Sequence, residues 1–275
     1  MLGLGSSAIA NHDGITGPYN TTTNTYALHL DGSGDYVDVA DDDTLSFDTG
    51  TTSDGIDLPF SLALWIKKDV DGNSNDSIVA KGNTSSGTLE YRIFQGGGRI
   101  YVDLSDGTTS GLGNYRRVYW NGVDTNDDWK HVVITYDGDT DGGGDGMFLY
   151  INGTATTGTD GVHVGGSDTD GMDNFSGTLR IGQMQSASSF THAGEMCQII
   201  MWKNHVLTSA EVTYLYAGGA AHRNPKLSTS DYPQSTADKV VLWLPFQDDL
   251  NDDSGNGNNG TAAGNAALSN STVPF

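Results

Sequence analysis

Apolar and polar residues alternate with period two through much of this chain, most clearly between Trp129 and Gly153. The stretch reads WKHVVITYDG, a Gly/Asp-rich gap, then MFLYING. In the first half Val132, Ile134 and Tyr136 point one way, while Trp129, His131, Val133 and Thr135 point the other. In the second half Met147, Leu149 and Ile151 oppose Phe148 and Tyr150. The spacing predicts a hairpin with apolar bulk on both faces, as in a two-layer β-sandwich. Asn152-Gly153 supplies the φ > 0 positions of a tight turn.

The same alternation predicts further strands. TYALHLD (25–31) places Tyr26, Leu28 and Leu30 on one face, and DYVDVAD (35–41) follows Gly32-Ser33-Gly34. PFSLALWIKK (59–68) turns Phe60, Leu62, Leu64 and Ile66 inward, with Ala63 and Trp65 opposite. SIVAKG (77–82), LEYRIFQG (89–96) and RIYVDLSDG (99–107) read as a meander, and YRRVYWNG (115–122) as a strand with a polar edge. TLRIGQM (178–184), EMCQIIMWK (195–203) and KVVLWLPFQDD (239–249) complete the set. One helix is predicted in LTSAEVTYLYAGG (207–219). Thr208 and Glu211 form a capping box, Leu207 and Val212 a hydrophobic staple, and Gly218-Gly219 a stop. The expected fold is all-β: an antiparallel two-sheet jelly-roll sandwich with one short helix. Residues 1–24 read as an N-terminal arm or irregular lead-in. Residues 25–275 read as the sandwich, with 239–275 a returning C-terminal strand and tail.

Composition sharpens this picture. The 275 residues include 38 glycines, and Glu90, Glu195 and Glu211 are the only glutamates among 35 acidic residues. Asp favours turns where Glu favours helices, so the bias again points to strands joined by ordered loops. A net charge of −22 excludes nucleic acid as a partner, because phosphates would be repelled. Cys197 is the only cysteine and sits in the apolar run MCQIIMW, where it reads as a small buried hydrophobe. The segment MLGLGSSAIANHDG lacks the charge and apolar core of a secretory signal. No stretch approaches the roughly 20 apolar residues of a membrane span. With Met1 as initiator, the chain is expected to be made in a cytoplasm and not exported by the usual route.

Taken in order, LDGSGDYVDVADDDTLSF, FSLALWIKK, SIVAKG, WKHVVITYDG, LYING, TLRIGQ and the helix LTSAEVTYLY resemble the laminin-G-like, concanavalin-A-like jelly-roll superfamily. The resemblance covers roughly residues 25 to 219. The later LWLPFQDDLNDDSGNGNNGTAAG (242–264) resembles the phrase that often opens such a domain, here placed last. Domains with this tail are similar to virion structural proteins of tailed bacteriophages, marine phages especially. One departure stands out. Where the family commonly has a Gly-x-Ile-Asp-Glu-Val strand, this chain has Gly194-Glu195-Met196-Cys197-Gln198-Ile199, so Cys197 and Gln198 replace an acidic pair.

The superfamily includes glucanases, which carry their catalytic acids as Glu-x-Asp-x-Glu on one strand. Retaining glycosidases need two carboxylates about 5–5.5 Å apart, and no such triplet occurs here. No Gly-x-Ser-x-Gly, zinc spacing or phosphate loop appears either. The chain is therefore expected not to be an enzyme and to need no organic cofactor. DGDTDGGGDG (137–146) begins like an EF-hand loop, but its twelfth position is Phe148 in place of the bidentate glutamate. Laminin-G-like domains hold calcium at rim loops, so Asp137, Asp139, Asp141 and Asp145 form a calcium candidate. DTDGMD (168–173), DVDGN (69–73) and DDLNDDSGN (248–256) compete with it. Each also reads simply as a solvated turn.

Sugar recognition needs exposed aromatic rings among polar groups. Trp65, Trp129, Trp202 and Trp243 lie in apolar strands and read as core. Trp120 follows Tyr119 and the only Arg-Arg pair, Arg116-Arg117, so these four residues are the candidate carbohydrate site. An interface with another protein chain would use the same residue types. The expected function is a non-catalytic virion structural or display protein, decorating a capsid or associated with a tail, with host surface glycan as a candidate ligand. Its partners would be other virion proteins, reached through the N-terminal arm, and a homo-oligomer stays open. The alternatives are a cellular or secreted carbohydrate-binding module, placed outside or on a cell, and a polysaccharide-degrading enzyme.

Overall fold

A computed structural model describes residues 21–22, 25–50, 56–69, 75–107, 114–123, 125–138, 146–156, 161–165, 171–185, 187–219, 222–270 and 273. The described chain starts at Thr21–Thr22 (β1) and passes to β2 (Tyr26–Asp31) and β3 (Tyr36–Val39). The long β4 (Phe60–Lys68) precedes a meander of β5 (Asp76–Lys81), β6 (Tyr91–Gly96), β7 (Arg99–Ser105) and β8 (Tyr115–Asn121). The expected hairpin is β9 (Lys130–Tyr136) with β10 (Met147–Ile151), followed by β11 (Thr154–Ala155) and β12 (Gly161–Gly165). Short β13 (Leu179–Ile181), β14 (Gln183–Met184) and β15 (Ala187–Thr191) lead to β16 (Ala193–Lys203) and the helix α1 (Ser209–Tyr216). Then come β17 (His222–Arg223), a helical turn α2 (Gln234–Ala237), β18 (Val240–Leu244), β19 (Gly260–Ala263) and β20 (Ala267–Asn270).

Sixteen of these strands form two antiparallel eight-stranded sheets, and β1 with β17 and β14 with β15 form two small pairs. The back sheet runs β11-β10-β9-β4-β16-β2-β20, with β18 also on β16, and the front sheet runs β12-β8-β7-β6-β5-β13-β3-β19. Between them lies one apolar layer containing Leu62, Leu64, Ile134, Ile93, Val102 and Trp120. Each such buried aliphatic side chain contributes about 1.5–3 kcal/mol. The hairpin pairs Met147 with Tyr136 and Ile151 with Val132, as the alternation requires. The turn that joins β10 to β11 is Asn152-Gly153, with φ of 50° and 77°. A Cβ at Gly153 would meet the Tyr216 side chain at 2.8 Å, so this turn accepts glycine for space as well as for φ.

The other apolar face of β9 and β4 is buried too. Ala63, Val133, Ile200 and Trp202 pack against Leu207, Val212 and Leu215 of the α1 segment. The capping box forms as predicted, with Glu211 N–H donating to the Thr208 hydroxyl and Thr208 N–H to Glu211. The helix stops one residue earlier than its glycines, at Ala217, which takes φ of 53°. Where the family's acidic pair is replaced, Cys197 is fully buried and Gln198 occupies a bulge with φ of 53°. The Gln198 Oε1 accepts from Trp243 Nε1 at 2.8 Å, which ties β16 to β18.

The tail differs from the expected single returning strand. β18 pairs with β16, and the segment beyond it supplies two further strands that enter different sheets. β19 extends the front sheet beside β3, while β20 extends the back sheet beside β2. Neither strand is evident from the pattern because both carry few large apolar residues. Residues 1–20 and 23–24 of the expected arm lie outside the described residues, and Thr21–Thr22 pairs with His222–Arg223. Among the described residues no helix is long and apolar enough to cross a membrane.

Candidate functional site

The α1 helix covers the outer face of the back sheet, so the corresponding face of the front sheet is where strand registers can assemble polar chemistry. On β8 the period-two alternation splits the expected sugar-binding set. Trp120 and Arg116 point into the sandwich and are 1% and 4% exposed. Tyr119 and Arg117 point outward and are partly exposed. The inward phase also contains Val118 of the core layer. Trp120 is therefore a core side chain, and a ligand on the outer face cannot reach it.

The outward residues meet partners that no local motif displays. Register aligns Arg117 with Asp103 of β7, and Asp103 with Arg92 of β6. The Asp103 carboxylate is fully buried and accepts three hydrogen bonds. Arg117 Nε reaches Oδ1 at 2.6 Å, Arg117 Nη2 reaches Oδ2 at 2.8 Å, and Arg92 Nε reaches Oδ2 at 2.6 Å. These hydrogen bonds raise the Arg117 pKa above the ordinary guanidinium value. The same row continues through Ala80 and Arg180 to Asp38, where Arg180 Nε donates to Asp38 at 2.9 Å and the guanidinium lies 3.7 Å over the Tyr36 ring.

Beside this charged row runs an aromatic one. Phe94 and Tyr101 stack at 4.6 Å, and Tyr101 lies 5.7 Å from Tyr119. Arg117 sits 5.2 Å from the Phe94 ring and 5.5 Å from Tyr115, and Arg99 sits 5.0 Å from Tyr119. The β14–β15 hairpin leans over one side. Met184 Sδ accepts from Arg92 Nη1 at 3.0 Å, and the Arg92 guanidinium lies 5.8 Å from Phe190. Cation–π contacts of this kind are worth about 0.5–2 kcal/mol each and hold the guanidinium planes in place. The result is a rigid patch of ring edges, phenol hydroxyls and guanidinium donors on strands, suited to binding a polar ligand that has apolar faces.

The three glutamates are each engaged by neighbouring groups. Glu195 pairs with Lys67, and Glu211 is occupied by the helix cap, His205 and Thr236. Glu90 is buried against Lys81, with its carboxyl pushed up to about 7 by burial. These three are spread over separate sites. Of the calcium candidates, Asp137 is exposed at the end of β9, where its backbone N–H donates to the Gly146 carbonyl at 3.0 Å. Asp139, Asp141 and Asp145 lie outside the described residues, as do 70–74 and 168–170 of the competing loops. In the fourth loop Asp252 accepts from the backbone N–H groups of Trp243, Ser254 and Asn258, which is turn chemistry.

Solved structures with a similar chain path include the binding domain of botulinum neurotoxin serotype D. That likeness has a TM-score of 0.44 at 18% identity, over 72% of this chain and 44% of that one. The type G receptor binding domain gives 0.40 at 14% identity, over 71% and 51%. The Ruminococcus gnavus IT-sialidase CBM40, solved bound to alpha2,3 sialyllactose, gives 0.44 at 13% identity, over 69% and 96%. The chain thus spans about half or less of the neurotoxin domains. No curated protein matches it. Residues 31–213 match the laminin-G-type family model described as the concanavalin A-like lectin/glucanases superfamily. With two thirds of its length in that match and the sandwich to go with it, the chain belongs to the concanavalin A-like lectin/glucanases superfamily.

Proposed function

We propose that this chain is a non-catalytic carbohydrate-binding domain whose binding surface is the outer face of the front sheet. The observation that carries the reading is the Arg117–Asp103–Arg92 row set directly against Phe94, Tyr101 and Tyr119. Sugars offer apolar ring faces and a fringe of hydroxyls, and this patch offers aromatic edges with fixed donors beside them. Strands hold every member, so little ordering entropy is lost on binding. The test is a glycan array with wild type and Tyr119→Ala. Specific signals that fall with Tyr119→Ala are expected. Absence of any specific signal from the folded wild type overturns the reading.

The setting we propose is a virion, as a capsid-decorating or tail-associated protein attached through the N-terminal arm. The resemblance of residues 242–264 to phage structural proteins supports it. Co-purification with intact particles at fixed stoichiometry tests it, and loss on washing sinks it. Calcium at the 137–146 loop is a separate proposal. It predicts a melting temperature that falls with EDTA, because a ligand of the native state alone must add stability.

A further inference from the structure

One carboxylate, Asp103, serves two guanidiniums. Arg92 is 7% exposed and its Nη1 ends on a thioether, so its charge is sealed within the protein. The Arg117 side chain is 24% exposed. Its Nε and one Nη2 hydrogen are taken by Asp103, and its Nη1 has no hydrogen-bond partner among the described residues. The outer Nη1/Nη2 edge of a guanidinium presents two parallel N–H groups that match the oxygen spacing of a carboxylate or sulfate. Arg99 adds a second exposed cation on the same face, beside Tyr101 and Tyr119. Among the described residues, Arg92 and Arg117 thus put two guanidiniums on the one carboxylate of Asp103, on a chain whose net charge is −22.

Resting on the carbohydrate reading above, we propose that this patch selects an acidic sugar, one whose isolated carboxylate or sulfate is clasped by Arg117 while the rest of the glycan lies along Tyr101 and Tyr119. The net charge of the chain limits what form the acid takes. Screening confines a contact pair to within about 8 Å at physiological salt, so one anionic group feels mainly the arginines. A long polyanion runs beyond that distance over a surface where acidic residues far outnumber basic ones, and is repelled. The selected ligand is therefore a mostly neutral glycan with a single or terminal acidic unit.

Titration calorimetry with matched oligosaccharides tests this. One member is neutral, one has a carboxylated terminal sugar, one has a sulfate ester at the same end, and a heparin fragment serves as polyanion. The acidic members are expected to bind about tenfold tighter than the neutral one, the scale of one charge-assisted bidentate contact. The carboxylated and sulfated arms identify which acid the fork prefers. Arg117→Gln should bring the acidic-to-neutral ratio close to one, and Arg117→Lys should restore it only in part, since lysine keeps charge without the fork. Melting temperatures of both variants confirm that they are folded. Equal affinity for neutral and acidic members overturns this proposal and leaves the carbohydrate reading standing, as does a preference that survives Arg117→Gln. Tighter binding of heparin than of the singly acidic sugar overturns the isolated-acid form. If no member binds, the carbohydrate reading falls and this proposal with it.

Discussion

Arg117 grips Asp103 through two hydrogen bonds, 2.6 Å to one carboxylate oxygen and 2.8 Å to the other, across neighbouring strands of the front sheet. The two partners differ in environment: Asp103 is fully buried, whereas Arg117 keeps about a quarter of its side chain in solvent. Removing them should therefore have unequal effects. Asp103→Ala leaves Arg92 as a buried cation without its counter-charge, and breaking a buried pair in this way costs about 3–5 kcal/mol. Arg117→Ala leaves Asp103 still bound to Arg92 and exposes no new charge, so its cost should be about 1 kcal/mol. Urea unfolding of the two variants checks the order. Equal losses would show that the row does not divide its charge as the geometry implies.

Trp120 and Tyr119 adjoin in sequence and separate completely in role. Trp120→Ala empties a fully buried indole site in the core layer and should cost about 3–5 kcal/mol. Tyr119→Ala trims a partly exposed ring and should cost about 1 kcal/mol or less, while removing glycan signal. Thermal melts alongside the glycan array separate the two effects. A folded Trp120→Ala protein that loses binding with no loss of stability would contradict this assignment.

That pair also shows what the sequence could and could not disclose. In β9 each phase of the alternation carries apolar residues and each meets its own cover, so the sandwich and the helix-packed back face follow from pattern, whereas in β10 Phe148 stays 48% exposed and the pattern overstates burial. In β8 both phases carry aromatic and arginine side chains, so period two states that Trp120 and Tyr119 oppose each other without stating which is inside. Val118 was the available signal, because it shares the phase of Arg116 and Trp120 and is itself plainly apolar. Arg92 and Asp103 were out of reach for a different reason. Asp103 lies on β7 beside β8 and Arg92 one strand further on β6, an alignment visible only once the registers are known, and neither belongs to a motif of its own. The two tail strands were hidden because Leu268 is the only large apolar residue in them, and the rest are Gly, Ala, Thr, Ser and Asn, which carry little periodic signal.

The two fully enclosed imidazoles predict acid sensitivity. His131 and His192 are 3% and 0% exposed, and burial lowers the pKa of each to about 3. A histidine whose folded pKa lies below its unfolded value near 6.5 stabilises the fold above that value. The contribution is lost as pH falls from about 6.5 toward 3, because the unfolded chain then binds more protons. At pH 4.5 each histidine should have withdrawn about 2–3 kcal/mol. Urea unfolding between pH 7 and 4.5 should show a steep decline, and His131→Phe should make it shallower. An unchanged slope in that variant would mean His131 titrates normally.

Glu90 acts in the opposite sense and sets the upper side of the profile. Burial raises its carboxyl from 4.5 to about 7, with Lys81 3.1 Å away pulling it back only in part. Between these two values the folded protein holds a proton that the unfolded chain has released. Stability from this group is therefore full below about pH 4.5 and declines as pH rises to about 7, by roughly 3 kcal/mol in all. Below pH 6.5 the two histidines outweigh it, so wild-type stability should peak near pH 6.5. Glu90→Gln removes the declining limb while retaining the buried shape. Lys81 keeps Asp41 at 2.5 Å and the Gly177 carbonyl at 2.9 Å, so the variant still has partners for its ammonium. The expected outcome is a variant that gains on wild type from about pH 4.5 to 7, keeps that margin above pH 7, and lacks the wild-type decline between pH 6.5 and 7. A constant difference between the two proteins across that range would place the Glu90 pKa at its ordinary value and the ion pair in a far more polar setting than its burial indicates.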